Sequence, residues 1–411
     1  MPFPEIKIVN KRMIFLMVGI TIIAAADRQV MSLLKPVLDD EFGWSVRDYA
    51  GISTVTQIAS AVSLLISGWL VDRLGPRWTL GAAMSGWSLM TICHAVARNV
   101  VQFSMIRGAL GAFEGAGMPS VMKVVATTIP RHQRAMTVGY LNAAPNVSAI
   151  ITPLIVTSLM LYIDWRGIVT GLGVIGFFLV FLWFRKGSPV LERKAPVKRQ
   201  ETRAPAGWKR LISVFSVCKV CSDATWWVTL FWLPDILYTH FHLTMQETGM
   251  ATAPVYVGAA AGAILGGVLP RWLSTVFRTH EQARRVVMAF AALCILPVSL
   301  VFVTSSLLLG VALLALALAA HQVFSSNLFG IATEWAPEEH VGRLVGVGAF
   351  CGNLGGATIL WLTGFIPMGL VFVGCGVAYL AAWSVLEAGA SPRWLKKHFQ
   401  LSSHNVVFEG L

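Results

Sequence analysis

Apolar residues gather along this chain into about twelve stretches, each near the roughly 20 residues that a helix needs to cross the ~30 Å hydrocarbon layer of a bilayer. They fall at 13–34, 49–71, 78–97, 101–126, 135–160 and 166–185, then at 211–239, 249–272, 286–305, 307–333, 342–364 and 366–387. None shows the repeated apolar/polar alternation of an outer-membrane barrel strand, so the backbone must satisfy its hydrogen bonds within helices. The pattern predicts an all-α membrane protein. One polar interruption stands apart, at residues 186–210, KGSPVLERKAPVKRQETRAPAGWKR, with eight Lys or Arg, two Glu and three Pro. It divides the chain into an N-terminal six-helix bundle (1–185), a cytoplasmic basic linker (186–210), a C-terminal six-helix bundle (211–390) and a cytoplasmic tail (391–411). The linker's basic residues suit anionic lipid headgroups.

The halves echo each other. Glu114 precedes Pro130 by 16 residues and His321 precedes Pro337 by 16, while Arg134 and Arg343 each precede a glycine, Gly139 and Gly348, by five. Such internal symmetry belongs to carriers that hold their cargo near the midplane between two related bundles.

Composition agrees with the pattern: 56% of the 411 residues are hydrophobic and 13% charged, against about 25% charged in a soluble domain. The net charge of +12 does not point to nucleic acid, because Lys and Arg lie in loops. Basic residues favour the cytoplasmic side of an inner membrane. Asp72, Arg73 and Arg77, then Arg131 and Arg134, the linker, and Arg271, Arg278, Arg284 and Arg285 occupy alternate loops. Those between, around Asp39 to Glu41, Arg98, Asp164 and His240, are short or acidic. Both termini are therefore expected in the cytoplasm of a bacterial cell. Glu334, Glu338 and Glu339 run against this trend, but acidic residues influence orientation little. Met13 to Ala26 has the form of a secretory signal, yet Asp27 and Arg28 interrupt its end and its removal would leave an odd helix count. The six cysteines lie almost entirely in apolar stretches and read as small buried side chains. Cys218 and Cys221 form a CxxC with no second pair or nearby His, so no metal or cofactor is expected.

A charge at the bilayer centre costs about 2.5–3.5 kcal/mol on insertion scales, which makes each one a candidate for function. Asp27 and Arg28 sit in the first helix, and adjacent residues diverge by about 100°, so they address different partners. The fourth helix, RGALGAFEGAGMP, places Arg107 and Glu114 two turns apart on one face among small residues that admit close neighbours. One reading makes Asp27 and Arg107 a static ion pair that fastens two helices. The functional reading has Asp27 and Glu114 taking up and releasing protons, since burial favours a neutral carboxyl and a nearby cation favours a charged one. Arg28 is then left to bind a substrate carboxylate in fork geometry. Lys219 and Asp223 stack at i, i+4 in the seventh helix, either as a packing pair or with Lys219 at the substrate. The tenth helix offers His321, Gln322, Ser325, Ser326 and Asn327, the eleventh Asn353, and the fifth Asn142 and Asn146. Such groups face a cavity or bond helices together. In GWLVDRLGPR, Gly68 permits close packing and Asp72, Arg73 and Arg77 form an expected gating latch at a helix end.

That loop resembles the signature of the major facilitator superfamily. DRQVMSLLKPVLDDEFGWS, RGALGAFEGAGMPSVMK, KVCSDATWWVTLFWLPDIL and AHQVFSSNLFGIATEWAP are similar to its anion:cation symporter branch, nearest to the bacterial hexuronate transporters. The resemblance implies proton-coupled import of glucuronate or galacturonate. It implies that Asp27 and Glu114 are protonation sites, that Arg28 contacts substrate, that Arg107 pairs with the first-helix Asp and that Asn353 lines the pocket. Lys219 and Asp223 match residues typical of the hexuronate pattern. The chain departs from it at Pro145, Ser60, Val323 and Phe324, and its second-half loop GGVLPRWLSTVF lacks an acidic latch. Another carboxylate, such as an aldonate, tartrate or an aromatic acid, is the main alternative cargo. A membrane-embedded enzyme or receptor is the remote alternative, since no nucleophile with an adjacent base and no metal-ligand cluster is apparent. The expected partners are a small organic anion, protons and the lipid bilayer, and the expected state is a monomer.

Overall fold

The computed structural model describes residues 11–187, 206–277, 279–336 and 338–399. Most of the 186–210 linker, the tail beyond 399, Arg278 and Pro337 lie outside the described residues, as do the side chains of Arg131, Glu338 and Glu339. The described residues form helices joined by short connections: α1 (Lys11–Phe42), α2 (Val46–Cys93), α3 (Val100–Glu114), α4 (Gly117–Thr128), α5 (Arg131–Leu159) and α6 (Trp165–Leu182), then α7 (Trp208–His240), α8 (Met245–Leu273), α9 (His280–Ile295), α10 (Leu307–Trp335), α11 (Glu338–Leu362), α12 (Met368–Gly389) and the short α13 (Pro392–His398).

Ten of the described helical segments are long and apolar enough to cross a membrane. The expected twelve are recovered at two places. Gly75, at φ 78° and ψ 157°, breaks α2 ahead of Pro76, and the Thr79 hydroxyl lies 3.5 Å from the Leu70 carbonyl. Along a continuous helix those residues would stand about 13 Å apart, so α2 is a hairpin of two crossings. The fourth crossing is split instead, because the helix breaks at Gly115 and Ala116 and leaves α3 and α4 each too short to span. At the other extreme, α1 runs through Pro36 to Phe42 rather than ending near residue 34.

Helices α1–α6 pack on one another chiefly through α2 with α3, α1 with α5, and α2 with α6; α7–α12 do so through α8 with α10, α7 with α11, and α7 with α12. The two sets meet along α2–α11, α5–α8 and α1–α7. Matching capping boxes start the second helix of each set, Ser45 with Asp48 and Thr244 with Glu247. Large apolar side chains such as Phe15, Leu65, Ile66, Phe178 and Ile264 point outward, as they must against lipid.

Glycine permits the tightest contacts. A Cβ on Gly111 would lie 2.4 Å from the Thr56 carbonyl oxygen, and one on Gly262 would lie 2.1 Å from that of Ala319. Gly262→Leu is therefore expected to separate α8 from α10 and destabilise the fold by about 2–3 kcal/mol. Fluorescence-detected size-exclusion after heating would show this as a lowered midpoint. Gly171→Leu is the control, with nothing within 4 Å of its Cβ position, and a midpoint shifted equally by both would refute the packing account.

Candidate functional site

A cavity of about 230 Å³ lies between α1, the second arm of α2, the α3–α4 break, α5 and α7. Arg28 enters it from α1 and Glu114 from the last position of α3. Arg28 Nε donates to Glu114 Oε2 at 2.6 Å, with the Glu114 side chain 1% exposed and that of Arg28 32% exposed. The guanidinium also lies 5.8 Å from the Trp227 ring centroid. Glu114 Oε1 is buried with no hydrogen-bond partner. This carboxyl thus holds a cation through one oxygen and leaves the other, Oε1, unsatisfied and free to take a proton. Gln29 sits beside them, its amide nitrogen donating to the Ala149 carbonyl at 3.1 Å.

Asp27 points the other way, as a 100° step requires. Its carboxylate accepts from the Thr91 hydroxyl at 3.0 Å. Arg107, 2% exposed, reaches the backbone carbonyl of Asp27 at 3.5 Å. The expected fastening by an Asp27–Arg107 ion pair is therefore replaced by a guanidinium-to-backbone contact, because Thr91 holds the carboxylate. Arg107 Nε and Nη2 and His94 Nε2 are buried without partners. These groups border a second, much smaller void of about 10 Å³ beside Asp27 and Thr91, about the space one water occupies.

The polar residues of α7, α10 and α11 stand outside the larger cavity. Lys219 Nζ pairs with Asp223 Oδ1 at 2.7 Å and lies over the Phe329 ring. His321 Nδ1 is 2.5 Å from the Tyr379 hydroxyl, which donates to the Ser222 carbonyl. Trp226 stacks on the His321 ring, with centroids 5.4 Å apart. Asn327 donates to the Gly266 and Val323 carbonyls and so bonds α10 to α8. Asn353 accepts from Gln57 Nε2 at 2.6 Å, tying α11 to α2. Gln322 is half-buried on α10. In this arrangement Arg28, Glu114 and Gln29 line the cavity, whereas Lys219, His321, Gln322 and Asn353 do not.

At the signature loop, Asp72 pairs with Lys123 of α4 at 2.6 Å, within its own set of helices. Arg73 lies over Trp69 and Arg77 over Trp78. Gly68 is exposed and a Cβ there would meet nothing. The close packing expected at Gly68 is absent from this arrangement because that face of α2 looks outward; Gly111 and Gly115 supply it instead.

The opposite end, where α1 finishes, carries a clasp that the sequence reading did not find. Lys35 Nζ lies 2.6 Å from Asp39 Oδ2 and 2.8 Å from Asp235 Oδ1 of α7. The ammonium is also 5.4 Å from the Tyr49 ring centroid and 5.2 Å from that of Trp232. Tyr49 donates its hydroxyl to the Phe231 carbonyl at 2.9 Å, and Arg47 Nε donates to the Gly364 carbonyl at 3.1 Å. A Cβ on Gly249 of α8 would strike Thr157 of α5. The two sets of helices are thus drawn together at the end away from α1's start.

Two helical sets clasped at one end around a cavity, with an arginine and a glutamate paired on its wall, define a membrane carrier. The chain belongs to the Major Facilitator Superfamily, whose family model matches residues 17–358 and 215–400. It is 26% identical to the D-galactonate transporter of Escherichia coli O6:H1 over 92% of each chain. It is 22% identical to the hexuronate transporter of Escherichia coli K12 over 80% of this chain and 81% of that one. A bacterial homologue of the human lysosomal transporter Spinster, solved in an inward-facing unoccupied conformation, shares its fold with a TM-score of 0.70 and 15% identity, over 95% of this chain and 98% of that one. The chain is a multi-pass membrane transporter of an organic acid and not an enzyme, and the resemblance to anion carriers of the hexuronate type holds.

Proposed function

We propose that the chain imports a small organic anion together with protons by alternating access between its two six-helix bundles, in the bacterial inner membrane with both termini cytoplasmic. The observation that carries this reading is the 2.6 Å contact between Arg28 and Glu114 on the cavity wall. While Glu114 is ionised it occupies the cation that an incoming carboxylate needs. Protonation of Glu114 releases the guanidinium, so proton and anion bind together, and loss of the proton expels the anion by restoring the internal pair. Asp27, behind the wall with Arg107, is the second proton site. Lys219, His321, Gln322 and Asn353 approach the cargo only as the bundles rearrange, and Asp72, Arg73 and Arg77 latch the cytoplasmic end when the outer end opens. With the termini inside, the clasp at Lys35 closes the periplasmic end, which makes this the arrangement that serves the cytoplasm.

For the cargo, the resemblance names glucuronate or galacturonate and the relatives add galactonate. These share one carboxylate and several hydroxyls, and Arg28 provides for the carboxylate. Proteoliposomes with a lumenal pH dye test the coupling. Adding an external carboxylate that the protein carries should acidify the lumen beyond the entry of neutral acid seen in protein-free vesicles. Protein-dependent entry of the anion with no lumenal acidification would end the proton-coupled reading.

A further inference from the structure

We infer that the anion this carrier takes is an aromatic or similarly apolar monocarboxylate rather than a polyhydroxylated sugar acid, an inference that rests on the anion-carrier reading above. The cavity wall is largely apolar and offers little free hydrogen-bonding capacity. Trp87, Trp226 and Trp227 supply aromatic surface, and Ile20, Val121 and Leu230 aliphatic surface. Pro145 and Ala149 continue the apolar lining from α5. Against these stand four polar side chains: Thr21 donates to the Met17 carbonyl at 2.8 Å, and Gln29 donates through Nε2 to that of Ala149, which leaves its buried Oε1 as one acceptor without a partner. Arg28 and Glu114 are engaged with each other until one binds a proton or an anion.

A hexuronate or an aldonate would bring several hydroxyls into this space. In this arrangement groups suited to receive them lie outside the cavity, with His321 bonded to Tyr379, Asn353 to Gln57 and Asn327 to backbone carbonyls of α8 and α10. Trp226 stands on the cavity wall with His321 stacked behind it, so the indole screens the imidazole from the cargo. Each hydroxyl buried without a partner costs on the order of tenfold in affinity. An aromatic ring meets no such penalty and gains from the indole faces. The geometry also sets the pose. Arg28 lies over Trp227, so a carboxylate on the guanidinium places the ring attached to it against Trp227 and Trp226.

Calorimetric titration of the purified full-length protein tests this with four probes: benzoate, phenylacetate, glucuronate and the neutral isostere benzamide. Benzoate or phenylacetate should bind at least ~10-fold tighter than glucuronate. Trp227→Ala should weaken the aromatic acids at least roughly fivefold more than it weakens glucuronate, and Trp227→Phe, which keeps an aromatic face, should recover most of that difference. Glucuronate binding as tightly as the aromatic acids overturns the inference and leaves the anion-carrier reading standing. Absence of benzoate and phenylacetate binding overturns it equally. Benzamide matching benzoate instead sinks the reading beneath it, since the anion would then contribute nothing.

Discussion

Glu114→Gln should abolish accumulation of the anion against its gradient while preserving exchange of anion for anion. An imposed gradient of one pH unit stores about 1.4 kcal/mol per proton, so a carrier moving one proton with each anion concentrates its cargo roughly tenfold. In the variant the ratio should fall to about one, because an amide cannot carry the proton whose movement does the work. Counterflow, in which labelled anion enters vesicles loaded with unlabelled anion, requires only the loaded bundle rearrangement. An amide resembles the protonated carboxyl in shape and neutrality and leaves Arg28 available, so counterflow should stay within about threefold of the parent rate. The pairing of the two assays separates coupling from architecture. If Glu114 merely braces α3 against α1 through Arg28 at 2.6 Å, both activities fall together. Full concentrative uptake by the variant would remove Glu114 from the coupling altogether.

The apolar stretches made the helical fold legible because length and hydropathy are set by the bilayer. What blurred the boundaries was backbone chemistry at single residues. Gly75 leaves the helical region within α2, and Gly115 and Ala116 split a crossing that reads as continuous. The first helix reads as ending before Lys35 because Pro36 normally discourages a helix at the preceding residue. Tertiary packing overrides that preference and carries α1 to Phe42. Once Lys35 is inside a crossing, its cost in hydrocarbon marks it as a candidate, and Asp235, beside Pro234 in α7, becomes the natural partner. The intramembrane rule itself found Asp27, Arg28, Arg107 and Glu114. It was silent on which partner each would choose, since a 100° step between neighbours fixes divergence and not destination. The same limit applies to the polar run of α10. Its residue types suit hydroxylated cargo, but the packing commits His321 to Tyr379 and Asn327 to backbone carbonyls. The apolar cavity arises from residues such as Trp226 and Leu230, which sequence cannot distinguish from ordinary helix packing.

Lys35→Met should open the periplasmic end. Lys35 is buried between Asp39 and Asp235, whose side chains are 26% and 11% exposed, and its loss leaves two carboxylates facing each other without a counter-charge. Breaking a fully buried pair costs about 3–5 kcal/mol; with the partial exposure of both acids, about 2 kcal/mol is expected here. That penalty falls on the clasped state, because separating the bundles returns Asp235 and Asp39 to water. The population of the outer-open state relative to the clasped one should therefore rise roughly 30-fold. Spin labels at Asp40 and Gln246, exposed positions on the two bundles near the clasp, would report this as a longer component in their pulsed dipolar distance distribution. Neutralising all three groups, with Lys35→Met, Asp39→Asn and Asp235→Asn together, removes the stranded charges and should return the distribution toward the parent, since replacing an ion-pair cluster with neutral groups is often close to thermodynamically even. A distribution unchanged by Lys35→Met would mean that Tyr49, Arg47 and the Gly249 contact hold the end closed without the ions. One that stays long in the triple variant would mean that the cluster attracts the bundles outright, rather than merely being costly to leave half-made.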